Sequence, residues 1–456
     1  MESASERMSA TDQLLWVGDR DPDLRSTVVS VVLLDGAPEY DDMVQRCDHM
    51  SRAVLRLRQR VRSNLVSIAP PRWELDPDFE ASRHVNWIDD GQQRSLREVL
   101  DIAAAKALEP FPTDRPLWEV TGVCGLAEGH FALVQKVHHA VTDGINAVRI
   151  QLELFDFEPD APPKETPEVP YHVPLSQVAR MGDAVNWDLR RRAEVLDAGR
   201  RGAETVRTKP LTAAYSAAET VMSLARVGQL NNEPLSEVMT ERDLTRHFDH
   251  LTLSLTEAKS AGKSAGTRLN AVFLVGLAEG LRNYHQVHGV DATQLRLGIP
   301  ISTRTDDDTS NAFTGTRFVM PLVGDTLENR LRTMERLVKS HAGEAALQVL
   351  PALTAQVTQL PAPAAAKLLR RVMSGTDVQA SNVPGSPLPM YLLGHRLLHQ
   401  FPFGPTTISA MNITLLSYCD QLDIGIATNG AAVPDPDVLA TCLAEGFETV
   451  IAAGRS

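Results

Sequence analysis

Prolines 159, 162, 163, 167, 170 and 174 crowd into one short stretch. No continuous helix survives such density, because each ring removes a backbone donor and clashes with the turn before it. The stretch therefore reads as an extended tether. On either side of it, strand-like and helix-like segments alternate. Before it, residues 26–34, 118–123 and 131–137 carry strand composition, the last two joined by a turn around Gly125 and Gly129. Residues 40–61 (Met43, Val44, Cys47, Met50, Val54, Leu57) and 144–155 (Ile145, Val148, Leu152, Phe155) carry helical spacing. After it, 175–226 suits a helical crossover. Strands are then expected at 250–255, 296–301, 316–322, 406–416 and 422–427, with helices at 269–284 and 434–452. A chain of 456 residues exceeds one compact core. The expectation is an α/β (α+β) chain with lobes at 1–158 and 248–456, joined by a tether and crossover at 159–247.

One run carries chemistry: His138-His139-Ala140-Val141-Thr142-Asp143-Gly144, at the end of an expected strand and before an expected helix. Successive strand side chains point to opposite faces, so the two histidines do not readily share a ligand. That argues against a metal held by the pair. It predicts one imidazole facing a cavity and its neighbour held in the interior. Histidine has an ordinary pKa near 6.5, which leaves it mostly neutral and basic at neutral pH, so it suits proton abstraction from an alcohol. Asp143 could orient a histidine, cap the helix or pair with an arginine. Gly144 leaves room beside the base. The plainer reading is a turn that happens to contain two histidines.

The pattern H-H-x-x-x-D-G resembles the CoA-dependent acyltransferase superfamily, which includes chloramphenicol acetyltransferase and condensation domains. Further blocks resemble the bacterial wax ester synthase/diacylglycerol acyltransferase family. These are Ser9-Ala-Thr-Asp12, Pro116-Leu117-Trp118, Pro300-Ile301-Ser302-Thr303-Arg304 with Asn311, Asn382-Val383-Pro384-Gly385, and the strand from Asn412 to Tyr418. They occur in the family's order along nearly the whole chain. The resemblance implies two chloramphenicol-acetyltransferase-like lobes with a channel between them. His139 becomes the general base, His138 its support, and Asp143 a structural partner of Arg304 across the lobes. Acyl-CoA is then a co-substrate with no prosthetic group or metal, and the acceptor is diacylglycerol or a fatty alcohol. Asn270, Ser302, Thr303 and Asn382 are candidates for binding substrate or its oxyanion. Ala271 stands where the family has aspartate after the asparagine. Thr267 capping the helix, with Asn270 completing a box, is the structural alternative for that asparagine.

Other readings stay open at this stage. The histidine could serve a carrier-protein thioester and a polyketide-type alcohol or amine. The fold could also serve a non-catalytic lipid-binding or lipid-droplet protein. Fifty-eight acidic against 45 basic residues give a formal charge of −13, a poor basis for binding nucleic acid. Arg190, Arg191, Arg192, Arg200, Arg201, Arg207 and Lys209 form a local basic stretch, read either as a solvated helix face or as a contact for anionic lipid or phosphate. The longest apolar run, 271–278, is far below the roughly 18 residues of a membrane span. With no secretory pattern at the start, a cytoplasmic enzyme is expected, peripheral at most to the inner membrane or lipid droplets. Residues 347–373 offer an amphipathic stretch for that contact, or for packing inside the protein. Cys47, Cys124, Cys419 and Cys442 are scattered and read as reduced, buried thiols.

Overall fold

The computed structural model describes residues 5–63, 69–141, 144–171, 173–208, 233–302, 313–342, 354, 357–358, 360 and 362–455. In chain order the strands are β1 (Ser5–Arg7), β2 (Thr27–Leu34), β3 (Gln59–Arg62), β4 (Arg72–Leu75), β5 (Val85–Ile88), β6 (Trp118–Val123) and β7 (Phe131–His138). The second half adds β8 (Arg246–Ser254), β9 (Gln294–Ser302), β10 (Phe313–Pro321) and β11 (Val378–Val383). It ends with β12 (Tyr391–Leu392), β13 (His395–Phe403), β14 (Met411–Tyr418) and β15 (Gln421–Asn429).

Two six-stranded sheets result, ordered β12-β13-β2-β7-β6-β5 and β10-β9-β11-β14-β15-β8, with a small sheet β1-β4-β3 beside the first. β2 is rich in valine, whose branched side chain suits a buried pleated surface. It pairs antiparallel with β7, so that Thr27 faces His138. β6 and β7 form the expected hairpin. One face of this sheet is covered by the helix Tyr40–Ala53 and the other by Leu96–Leu108, which opens on a capping box between Ser95 and Glu98. The expected helix over 40–61 stops at Ala53, and the chain continues through a 3-10 turn into β3. The helices Leu269–Val287 and Pro436–Ala452 pack together over the second sheet, which explains why the former is buried nearly all round.

The segment 248–456, expected as a self-contained second lobe, contributes to both sheets. β13 leaves the C-terminal half and pairs with β2 from Phe403↔Val29 to Leu397↔Leu34, with a bulge between Leu397 and His399. β13 carries no clear strand period in the sequence, because its alternation is broken by the adjacent polar pair His399-Gln400 and by Pro402. β12 pairs only with His395 and Arg396, which leaves one side of β13 without a strand partner at Pro402, where a proline is tolerated. Where β13 passes over β15, a Cβ on Gly425 would lie 1.9 Å from the Pro402 carbonyl oxygen, so only glycine lets the two backbones approach. The fully buried Asp423 carboxylate ties the crossing together. It accepts from Gln400 N–H at 2.8 Å and Thr252 Oγ1 at 2.9 Å, with His399 Nδ1 at 3.1 Å.

Other expectations need correction. The strand anticipated at 406–416 begins only at Met411, because 406–409 form a turn in which Thr407 and Ile408 have positive φ. Within 347–373, residues 347–353, 355, 356, 359 and 361 lie outside the description. The helix Ala362–Met373 starts around Pro363 instead of being interrupted by it. That helix packs on Ala10–Gly18 of the N-terminal half, and Arg370 reaches Asp21 at 2.9 Å and also binds Asp23. Arg370 is therefore engaged within the protein. The cysteines are free, but only Cys47 and Cys442 are buried. Burial pushes the Cys47 thiol up to about 12.

Candidate active site

The histidines sit where β7 runs out against β2. The backbone pins both. His138 N–H donates to Leu117 O at 3.0 Å, and His139 N–H donates to Ser26 O at 2.8 Å. His138 is fully buried, with Trp16 and Phe111 edge-on at centroid distances of 6.1 Å. His139, next in the chain, is half-buried. The alternation of strand side chains thus separates an interior imidazole from one with access to solvent.

The hydrogen bonds assign the tautomer of His138. Its Nδ1 accepts from Ala140 N–H at 3.0 Å, so the proton of the neutral ring is on Nε2. Nε2 faces Asp19 Oδ2 at 3.1 Å, an ion-pair distance off the ideal hydrogen-bond direction. The other oxygen of Asp19 accepts from Ser26 N–H at 2.8 Å, and the Ser26 carbonyl in turn takes His139 N–H. One carboxylate therefore steadies both histidines, one through its ring and one through its backbone. Asp19 was not among the residues singled out from the sequence. It is 119 positions before His138, and no spacing rule connects a helix C-cap with a strand end.

Burial lowers the pKa of His139; a backbone hydrogen bond opposes this in part, and the adjacent His138 adds a smaller lowering. A lowered value keeps the imidazole neutral and able to accept a proton at neutral pH. The wall behind it is equally fixed. Lys136 is buried over the Phe111 ring at 4.5 Å and pairs with Glu119 at 3.1 Å. The strand end also lies at the seam between the two sheets. Thr27 lines a small cavity with Arg246 and Phe248 of β8 and with Thr406 and Thr407 after β13.

The remaining motif residues divide clearly. Ser9 caps the helix Ala10–Gly18 by accepting from Asp12 N–H, so the opening S-x-x-D starts the helix that carries Trp16 and ends at Asp19. Trp118 is a core residue. Its indole N–H donates to Leu57 O at 2.7 Å and its ring stacks on His84 at 4.5 Å. Gly385 is required by packing, since a Cβ there would meet Ser417 O at 2.0 Å. Asn382 is exposed at the end of β11. Asn270 is the second residue of its helix and half-exposed. The box predicted around it does not form: Arg268 is the N-cap without a side-chain bond, and the Thr267 hydroxyl donates to Gly262 O instead. A tight turn after the preceding helix uses that hydroxyl first. Among the described residues, neither asparagine bonds to a histidine. Ser302 ends β9 opposite Phe313. Gly144 opens its helix, while Thr303, Arg304, Asn311 and Asp143, and with them the expected Asp143–Arg304 pair, lie outside the described residues.

Comparison with known proteins agrees with this geometry. The wax ester synthase/diacylglycerol acyltransferase catalytic domain matches residues 8–273, and the C-terminal domain of the same family matches 310–450. A Mycobacterium tuberculosis protein designated a diacylglycerol O-acyltransferase is 32% identical over 98% of this chain and 92% of its own length. A second from that organism, designated likewise and called tgs1, is 27% identical over 96% and 94%. Among solved structures, the wax ester synthase/diacylglycerol acyltransferase from Marinobacter aquaeolei VT8 superposes with a TM-score of 0.63 at 20% identity, covering 99% of this chain and all of the other. The first condensation domain of the CDA synthetase shares the two-lobed fold, with a TM-score of 0.59 at 16% identity over 98% and 97%. Histidine motif, chain-long order of blocks and fold agree, and the chain is an enzyme of the wax ester synthase/diacylglycerol acyltransferase family.

Proposed function

We propose that this acyltransferase moves a long-chain acyl group from acyl-CoA to the free hydroxyl of diacylglycerol, forming triacylglycerol, and that long-chain alcohols serve as alternative acceptors giving wax esters. The half-buried His139, with its pKa lowered by desolvation and its backbone fixed, is the observation that carries this reading. The designation of the mycobacterial relatives favours diacylglycerol as the first acceptor. A starter condensation domain of this fold, 12% identical with a TM-score of 0.60, was solved with an eight-carbon acyl-CoA, which supports a CoA thioester as donor.

In the proposed reaction, His139 takes the hydroxyl proton as the oxygen attacks the thioester carbonyl carbon. The C–O bond forms and a tetrahedral oxyanion results. Its collapse breaks the C–S bond, and the imidazolium returns the proton to the departing thiolate. No covalent enzyme intermediate is needed. Asn270, Ser302, Thr303 and Asn382 are proposed as donors to the oxyanion or substrate, a contribution commonly worth about 10²–10³ in rate per donor. Asp143 and Arg304 are proposed as a structural ion pair. Lipid acceptors imply peripheral contact with a membrane or lipid droplet.

The test measures CoA thiol released from long-chain acyl-CoA with diacylglycerol, a fatty alcohol, an amine, or no acceptor. Release is expected with the hydroxyl acceptors, and His139→Ala should lower kcat by about 10²–10⁴ while the protein stays folded. Near-wild-type turnover in that variant removes the mechanism. Turnover only with a carrier-protein thioester or with the amine replaces the substrates.

A further inference from the structure

The helix Gln177–Thr208 shows two opposite faces. One is docked on the small sheet β1-β4-β3: Ala184 is buried, Asp183 pairs with Arg7 and Arg72, Arg180 pairs with Glu74 at 3.2 Å, and Trp187 lies by Arg7. The other face carries Val178, Met181, Val185, Leu189 and Leu196, each between 48% and 81% exposed. At 3.6 residues per turn these five fall within an arc of about 80° and run about 27 Å along the axis. Tyr171 and Val173, just before the helix, are exposed as well. A protein surface rarely leaves such a row of apolar side chains uncovered.

The charge beside the stripe indicates what covers it. From Leu189 to Thr208 there are six arginines against three acidic residues, in a chain whose net charge is −13. Arg192 and Arg200 are exposed; helical spacing sets Arg192 within the stripe between Leu189 and Leu196 and Arg200 about 20° beyond its edge, whereas Arg190 lies about 100° away. An apolar face bordered by arginines matches a bilayer interface, where acyl chains meet anionic headgroups. A second copy of the chain fits less well, because two acidic molecules repel and parallel stripes would set arginine against arginine.

We propose that this helix docks the enzyme in-plane on an anionic phospholipid surface, with Val178, Met181, Val185, Leu189 and Leu196 inserted at the headgroup boundary and Arg192 and Arg200 on the phosphates. The proposal builds on the lipid acceptor inferred above, but its test does not depend on that acceptor. The helix is held to the catalytic half by the salt bridges to β1 and β4, so docking places that half directly against the lipid.

The full-length protein is sedimented with vesicles of phosphatidylcholine alone or with phosphatidylglycerol added, without acyl-CoA. Binding is expected to the phosphatidylglycerol vesicles and to weaken with salt. The V185E/L189E variant should lose at least about tenfold in vesicle affinity while its light-scattering mass, melting temperature and turnover of a detergent-dispersed acceptor stay unchanged. R192Q/R200Q should lose about fivefold per arginine on anionic vesicles only. H139A should bind vesicles like the wild type, so failure of the acyl-transfer reading and failure of this one are separable. Wild-type protein that ignores anionic vesicles, or V185E/L189E that binds them unchanged, overturns the proposal. So does a V185E/L189E variant that only halves a dimer's mass or only melts earlier, which would assign the stripe to a second copy or to the chain's own packing.

Discussion

The C-terminal sheet closes with its own residues, whereas the histidine-bearing sheet borrows β12 and β13 from a point more than 350 positions after its first residue. The cores differ in the same way. That of the C-terminal sheet is drawn entirely from residues 239–450, while the cores on the two faces of the N-terminal sheet recruit Met390, Leu392, Leu397, Phe401 and Phe403. Phe403 of the borrowed strand stacks flat on Phe248 of the other sheet at 4.1 Å. The half that holds the histidines is thus completed by the other half. A seam built this way fixes two surfaces relative to each other, as a site between them requires.

The harshest test of this asymmetry is Phe403→Ala. Removing the buried ring should cost about 3–5 kcal/mol, read as a lowered urea midpoint, and should separate one unfolding transition into two. A cost under about 1 kcal/mol with a single unchanged transition would mean that the borrowed strand is not the joint.

Asp19→Asn probes the seam from the histidine side. The amide keeps the shape but loses the charge opposite His138 Nε2. It should lower kcat by about 10–100-fold through misplacement of the histidines, with little change in KM and in melting temperature. An equal fall for Asp21→Asn, whose carboxylate binds Arg370, would assign the loss to general loosening. Rescue of the Asp19 site by glutamate but not by asparagine would confirm positioning.

The smallest effect concerns pH. Burial lowers the pKa of His139 at the site, His250 at the crossing and His285 in the C-terminal core. Their neutral forms stabilise the fold fully above the ordinary value near 6.5. That stability drains away as the pH falls below 6.5 toward the lowered native values. The urea midpoint should therefore drop between pH 7.5 and 5.5, and the acid limb of kcat/KM should fall below about 6.5. A midpoint that rises on acidification, or an acid limb above 7, contradicts neutral, desolvated imidazoles.

Much of the local order was legible beforehand. Residues 118–123 and 131–137 alternate as a hairpin should, and they form β6 and β7; the apolar spacing of 269–284 marks a real helix. The position of His138 and His139 at a strand end followed from the same periodicity. The borrowed strand did not, because 395–403 has a weak period and its pairing with β2 depends on a distant partner. The cap at Asn270 failed for a related reason: Thr267 had a nearer carbonyl to satisfy.

By itself, the sequence determined which segments extend and which coil, and it marked the histidine run, because period and side-chain chemistry act over a few neighbouring residues. Only the tertiary structure decided that Asp19 steadies both histidines, that β13 completes the other sheet, and which face of Gln177–Thr208 stays bare. Those outcomes depend on burial and on charges meeting across more than a hundred positions, and no local pattern encodes which distant partner arrives.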